Sequence, residues 1–321
     1  MSYNGSPGNS DSESDGVNSP HMNIAHTERT IHTEISARRE EEAVQSGLDY
    51  VREHYDHAKD PRARLEYHNT EHTQDVIDRI QKLLEILSPH DVALGRIAAA
   101  WHDAVQHWTM TFKVVEGNRV VGKKRMTKFN ERASAHMLIA HMKFINDKEG
   151  PTFTDEDMAI VTEAILATTP YFDSELGTVS QPFFTPDVHI VAKALALADL
   201  GGGAMYGGAY FIEEGNRNFR EMNGDITEFV QRGVDFNVFS PGYREALRAR
   251  MLADAAGQVR FAQGRLALLP NELALLPEEH REAVATLMNK LPEAIEAAQA
   301  TLERRSQMSL EELIGDVYGR R

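Results

Sequence analysis

Three short stretches of this chain hold residue types that can do chemistry. The first is Tyr67-His68-Asn69-Thr70-Glu71-His72, two histidines four apart at the start of an apolar-periodic segment. If His68 lies just outside a helix and His72 in its first turn, both rings can approach one cavity. The plain alternative is a solvated pair at a helix cap. The second is Trp101-His102-Asp103, which ends the apolar run Ile97-Ala98-Ala99-Ala100. An ionised carboxylate in such a place costs several kcal/mol unless it is paired or bound to a metal. It also opposes the negative end of the helix dipole, so the position asks for a cation. The alternative is an Asp exposed by fraying. The third is Ala194-Leu195-Ala196-Leu197-Ala198-Asp199-Leu200, again one Asp at the end of an apolar helix. Asp199 could also be a water-facing cap before the glycines that follow. Taken together, His72, His102, Asp103 and Asp199 supply two imidazoles and two carboxylates. That set suits one or two divalent ions drawn from Mn, Fe, Co, Ni, Mg or Zn.

The elements that must position these groups read as mostly helical. A charged amphipathic helix covers about 33–57. Asn69 is a good N-cap for a second helix, whose Val76, Ile77, Ile80, Leu83, Leu84 and Leu87 define one face before Ser88-Pro89 stops it. Asp91 caps a third, running to about Gln106. Thr111 to Lys128 breaks the pattern: an apolar run, Glu116-Gly117-Asn118, then Arg119-Val120-Val121 signals a β-hairpin. Helices resume over 130–146 and 154–167. A loop with Pro170, Pro182 and Pro186 follows, then a helix over 187–200 stopped by Gly201-Gly202-Gly203. Further helices are expected over 204–222, 225–236, 243–268, 277–305 and 309–318. The long 277–305 helix could pack internally or in a homodimer. The expectation is one all-α domain over 33–321 with a small β-hairpin insert near 111–128 and a C-terminal helical extension. Residues 1–32 are expected to be a disordered tail, since 1–20 hold almost nothing apolar. His21-Met22 fits a cloning junction, which would make Met22 the native start.

Composition excludes several classes. The 321 residues contain no cysteine, which removes disulfides, thiolate metal sites and thiol nucleophiles. They contain 14 histidines, so any metal site must use imidazole and carboxylate. Lys plus Arg total 34 against 49 Asp plus Glu, a net charge of -15 that disfavours polymeric nucleic acid and anionic membranes as partners. No apolar run reaches the roughly 18–20 residues that span a bilayer, and no secretory signal is evident. A cytoplasmic protein is expected.

The order His…His-Asp…Asp on a helical chain resembles the HD-domain superfamily of metal-dependent phosphohydrolases. Tyr67–Val76 is similar to the YHNxxHxxDV stretch of class I cyclic-nucleotide phosphodiesterases. Asn130-Glu131 with Ser134-Ala135 resembles the NExxSA stretch of small bacterial members, and Ala167-Thr168-Thr169 their AT turn. The resemblance covers about residues 67 to 200. It departs from the phosphodiesterases at HDxxH, since the next histidine is His107, and it offers no counterpart of their purine-binding glutamine. It implies an HD-type helical bundle with His72, His102, Asp103 and Asp199 as metal ligands and His68 as proton donor. The implied function is hydrolysis of a small phosphorylated substrate, a nucleotide phosphomonoester or phosphodiester, by attack of metal-bound hydroxide. Asp103 is then both ligand and catalytic residue, and Asp75 a candidate for orienting a histidine.

The only strongly basic stretch contains Arg119, Lys123, Lys124, Arg125, Lys128 and Arg132. Its place in the chain suggests a rim that recruits phosphate, with Asn69, Lys123, Lys124, Arg125, Glu131 and Arg132 as candidate substrate contacts. A solvated hairpin edge is the alternative. His136 and His141, five apart on one helix, cannot both face one ion, and His136 is the candidate extra ligand. Two other functions stay open on this scaffold: a di-iron oxygenase, which needs additional histidines, and a silent sensor or interaction module.

Overall fold

The computed structural model describes residues 37–60 and 63–319. The expected tail over 1–32 lies outside the described residues. The chain divides at 39/40, and residues 40–321 form one compact unit. That unit is all-α with small β inserts.

Helix α1 covers 40–51 and ends in a π turn, Arg52–Asp56. Helix α2 (Thr70–Leu87) begins as expected: Asn69 Oδ1 accepts from His72 N at 3.1 Å. Ser88-Pro89 ends it, and α3 (Val92–Trp101) follows. Strands β1 (Trp108–Val115) and β2 (Asn118–Arg125) pair antiparallel, with Val115 opposite Asn118. The loop is only Glu116-Gly117, both at positive φ (51° and 75°), the two-residue turn whose twist suits a hairpin. Helices α4 (Phe129–Glu149) and α5 (Asp155–Ala167) come next, the latter opened by a Thr154–Asp157 capping box.

The proline-rich loop contains a second hairpin that the sequence reading does not anticipate. Strands β3 (Tyr171–Asp173) and β4 (Thr178–Ser180) have three residues each, too short for a periodicity signal. Asp173 Oδ1 nucleates the turn by accepting from Glu175 N and Leu176 N. Helix α6 (Ile190–Asp199) follows.

Two expected helices are divided. The 204–222 segment is α7 (Gly202–Tyr206) and α8 (Gly208–Met222), broken at Gly207, which sits at φ +82°. The 277–305 segment is α11 (Arg281–Leu287) and α12 (Leu291–Ser306), because Pro292 can start a helix but not continue one. Between these pairs lie α9 (Gly224–Gln231) and α10 (Pro241–Leu273), the latter longer than expected because it carries Pro270 inside its last turn. Helix α13 (Leu310–Tyr318) closes the described chain.

The main core joins α2, α3, α5 and α6 through Ile77, Ile80, Leu84, Ile97, Ile165 and Leu197. A second core packs α8, α9, α10 and α13 around Phe219, Ile226, Tyr243 and Leu313. His72 lies in the first turn of α2, whereas His102-Asp103 follows the end of α3 and Asp199 ends α6. Their convergence therefore requires α2 to run opposite to α3 and α6.

Candidate metal centre

The four groups meet at one end of the main core. His72 Nε2 lies 3.6 Å from both Asp103 Oδ2 and Asp199 Oδ1. His102 Nε2 lies 3.2 Å from Asp103 Oδ2 and 3.6 Å from Asp199 Oδ1. His72, His102 and Asp103 are buried and their donor atoms lie within 4.8 Å of one another, so this group can hold a metal ion. Both Nε2 atoms are buried without a hydrogen-bond partner. Leaving such atoms unmet is costly, and a shared cation satisfies both at once.

Neighbouring groups aim three of the four ligands, whereas His72 Nδ1 lies 3.9 Å from Glu214 Oε1 without a hydrogen bond. His102 Nδ1–H donates to Ala99 O at 2.7 Å, which leaves the Nε2 lone pair facing the cluster. Asp103 Oδ1 accepts from Gln106 Nε2 (2.7 Å) and Arg125 (2.5 Å), leaving Oδ2 for the imidazoles. Asp199 Oδ2 accepts from Gln181 Nε2 at 3.4 Å, leaving Oδ1. The turn after Asp103 is clamped by the stretch that resembles NExxSA. Asn130 Oδ1 accepts from His107 N at 3.0 Å, Ser134 Oγ from Val105 N at 3.0 Å, and Glu131 pairs with Arg125 at 3.1 Å.

His68 stands beside the cluster, its Nε2 4.0 Å from Asp103 Oδ2. On its other side Nδ1–H donates to Glu221 Oε1 at 2.5 Å. Glu221 is buried, and its Oε2 also accepts from Tyr67 N (2.8 Å) and His68 N (3.0 Å). One carboxylate thus fixes both the loop and the ring. Sequence reasoning missed Glu221. It sits on α8, far along the chain, and nothing in its local pattern marks it.

The electrostatics call for positive charge. Asp103, Asp199, Glu131, Glu214 and Glu221 surround the centre, against the guanidiniums of Arg125 and Arg79. The C-terminal ends of α3 and α6 add their negative dipole ends. Burial lowers the His102 pKa, but the negative charge of Asp103, with that of Asp199 beside it, pushes it up to about 10. Burial likewise opposes ionisation of Asp199, yet the His102 and His72 rings beside it hold it below the usual carboxylate range. Asp103 is held well below that range against its burial by His102 and Arg125. The carboxylates are thus ionised and demand a cation, whether proton or metal.

The cluster opens into a cavity of about 540 Å³ lined by His68, Asp103, Arg125 and Asp199, together with the aromatic residues Tyr67, Trp108, Phe172, Phe211 and Phe261. Asp254 and Gln258 of α10 line it as well, with Gln258 Nε2 donating to Asp254 at 3.1 Å.

The remaining expected site residues do not line this cavity. The Asn69 side chain caps α2 and donates to Glu66 O at 3.0 Å, so both its ends are engaged. Glu131 is buried against Arg125 and does not reach the rim. Strand alternation places Lys124 on the face opposite Arg125, exposed, while Lys123 Nζ lies 5.9 Å from the Trp108 ring centre. Arg132 is exposed and lines a different cavity with Lys128 and Lys143. His136 is exposed, and His141 packs its ring 5.1 Å from Trp101, so neither belongs to the cluster. Asp75 accepts from the Tyr210 hydroxyl instead of a histidine.

Among the described residues no helix is long and apolar enough to cross a membrane. The chain matches no protein-family model, no curated protein and no solved structure.

Proposed function

We propose that this chain is a divalent-metal-dependent phosphohydrolase of the HD type. Its substrate in this reading is a small phosphorylated molecule, a nucleotide phosphomonoester or phosphodiester. One observation carries the reading: two partnerless imidazole Nε2 atoms face two ionised carboxylates beside a buried His–Glu pair, at the wall of a cavity. A bound divalent ion would lower the pKa of water at the site and polarise a phosphoryl oxygen.

The chain's own residues supply the rest. His72, His102, Asp103 and Asp199 hold the ion. His68 delivers a proton from Nε2 to the departing oxygen, while Glu221 keeps the ring oriented through Nδ1. Arg125 places a fixed positive charge at the cavity wall, where phosphate oxygens would lie. Aromatic residues along the wall suit a planar base, and about 540 Å³ lies within the usual size of small-ligand sites.

Elemental analysis of protein purified without chelator tests the reading, together with turnover of bis-p-nitrophenyl phosphate and a nucleotide panel. Bound divalent metal and hydrolysis are expected, both lost in His102→Ala and Asp103→Ala. Turnover retained by both variants would sink the assignment, as would a folded protein that binds no divalent ion.

A further inference from the structure

Arg125 enters the centre from the last residue of β2, and its guanidinium is committed on three sides. It donates to Asp103 Oδ1 at 2.5 Å, to Gln106 Oε1 at 2.9 Å through Nε, and pairs with Glu131 Oε1 at 3.1 Å. Gln106 Nε2 donates to the same Asp103 Oδ1 at 2.7 Å. A carboxylate oxygen offers about two lone-pair directions, so both at Oδ1 are used. Only Oδ2 faces the imidazoles.

A two-metal centre needs oxygen donors that serve both ions. On the far side of Asp103 those donors would be Asp103 Oδ1 and the buried carboxylate of Glu131. One guanidinium holds both. It is permanently charged, so it cannot lose a proton to make way, and its planar fork matches two carboxylates at once. A second divalent ion would meet like charge at both carboxylates and spent lone pairs at Asp103 Oδ1; Arg125 holds Glu131 as an ion pair, without a hydrogen bond to either of its oxygens.

We infer that this centre takes a single divalent ion and that Arg125 stands in the second cation position. This rests on the metal-centre reading above and goes beyond it by fixing the number of ions. Positive charge toward a phosphoryl oxygen then comes from one exchangeable cation and one that is part of the chain. Arg125 still has N–H groups free of these three partners, and it lines the cavity.

The test is manganese loading. Protein incubated with excess Mn(II) and desalted is analysed for Mn per chain and by electron paramagnetic resonance. The wild type is expected to hold one ion with the resolved hyperfine pattern of an isolated Mn(II). Arg125→Ala, which releases Asp103 Oδ1 and Glu131, is expected to take up a second ion and show exchange coupling. Two coupled ions in the wild type would overturn the inference and leave the metal-centre reading standing. No ion in the wild type would overturn both. A folded Arg125→Ala that still holds one ion would show that the guanidinium does not keep the second place. If circular dichroism shows that variant unfolded, the wild-type stoichiometry and spectrum decide alone.

Discussion

Glu221→Gln isolates the proton-transfer role from metal binding. Glu221 touches none of the four proposed ligands, but it accepts from His68 Nδ1 at 2.5 Å and from two backbone N–H groups. A glutamine carbonyl can still accept from the backbone pair. Its amide then faces His68 Nδ1, which must become an acceptor, and the imidazolium loses its carboxylate partner. A charge-assisted hydrogen bond of this kind contributes about 1.5–3 kcal/mol. At about 1.4 kcal/mol per factor of ten, kcat should fall roughly 10- to 150-fold. The loss should depend on the leaving group. A nitrophenolate departs without help, whereas a ribose hydroxyl needs the proton, so the nucleotide should lose more than the nitrophenyl ester. Metal content should not change. Rates measured on both substrate types, with metal analysis in parallel, check this. An unchanged nucleotide rate with metal intact, or an equal loss on both substrates, would refute the role given to His68 and Glu221.

Other consequences can be read off the same structure. Asp254 is pushed up to about 6 from 3.8 by burial, with Gln258 and Arg305 acting the other way. A carboxyl raised in the folded state destabilises the fold once pH passes its unfolded value, and the penalty is complete above the folded one. Asp254→Asn should therefore stabilise by roughly 2–3 kcal/mol at pH 8 and by little near pH 4, read from denaturant melts at both pH values. Gly257 lines the cavity, and a Cβ there meets no atom within 4 Å. Gly257→Ala should gain about 0.5–1 kcal/mol of stability with activity kept, whereas Gly257→Phe should raise KM for nucleotides more than for a minimal phosphomonoester. Removal of the ion with a chelator should lower the Tm of the wild type. A ligand at 100 times its Kd contributes about 2.7 kcal/mol, so a shift of roughly 4–5 °C is expected for a unit of this size. His102→Ala should show no such shift.

Asp103, with His102 before it, and Asp199 stood out in the sequence because they end apolar helices, whereas His72 stood out only as one of two histidines four apart at a helix start. A carboxylate after Ala98-Ala99-Ala100-Trp101 or after Ala194–Ala198 needs a reason, and a shared cation is one. The helices themselves followed from periodicity and caps. Where helices break was less legible, since it turns on single residues. Pro292 divides one helix, yet Pro270 sits inside the last turn of another. Leu-Ala-Leu-Leu-Pro occurs twice, at Leu266–Pro270 and Leu273–Pro277, and the first copy lies inside α10 while the second leaves the helix. Within the basic stretch the sequence does not tell the side chains apart. Lys123, Lys124 and Arg125 look alike in sequence, but the hairpin faces place only Arg125 against Asp103 and Glu131. Glu221, Gln106 and Gln181 were invisible, because their value lies in contacts that only the packed fold creates.

The most direct test of the central claim is the rate of phosphoester hydrolysis by chelator-stripped protein as divalent metal is added back. The account predicts no turnover without metal and a saturable rise on titration, with no rise in His102→Ala. A rate that ignores added metal, or no hydrolysis of any phosphoester at saturating metal, would contradict it.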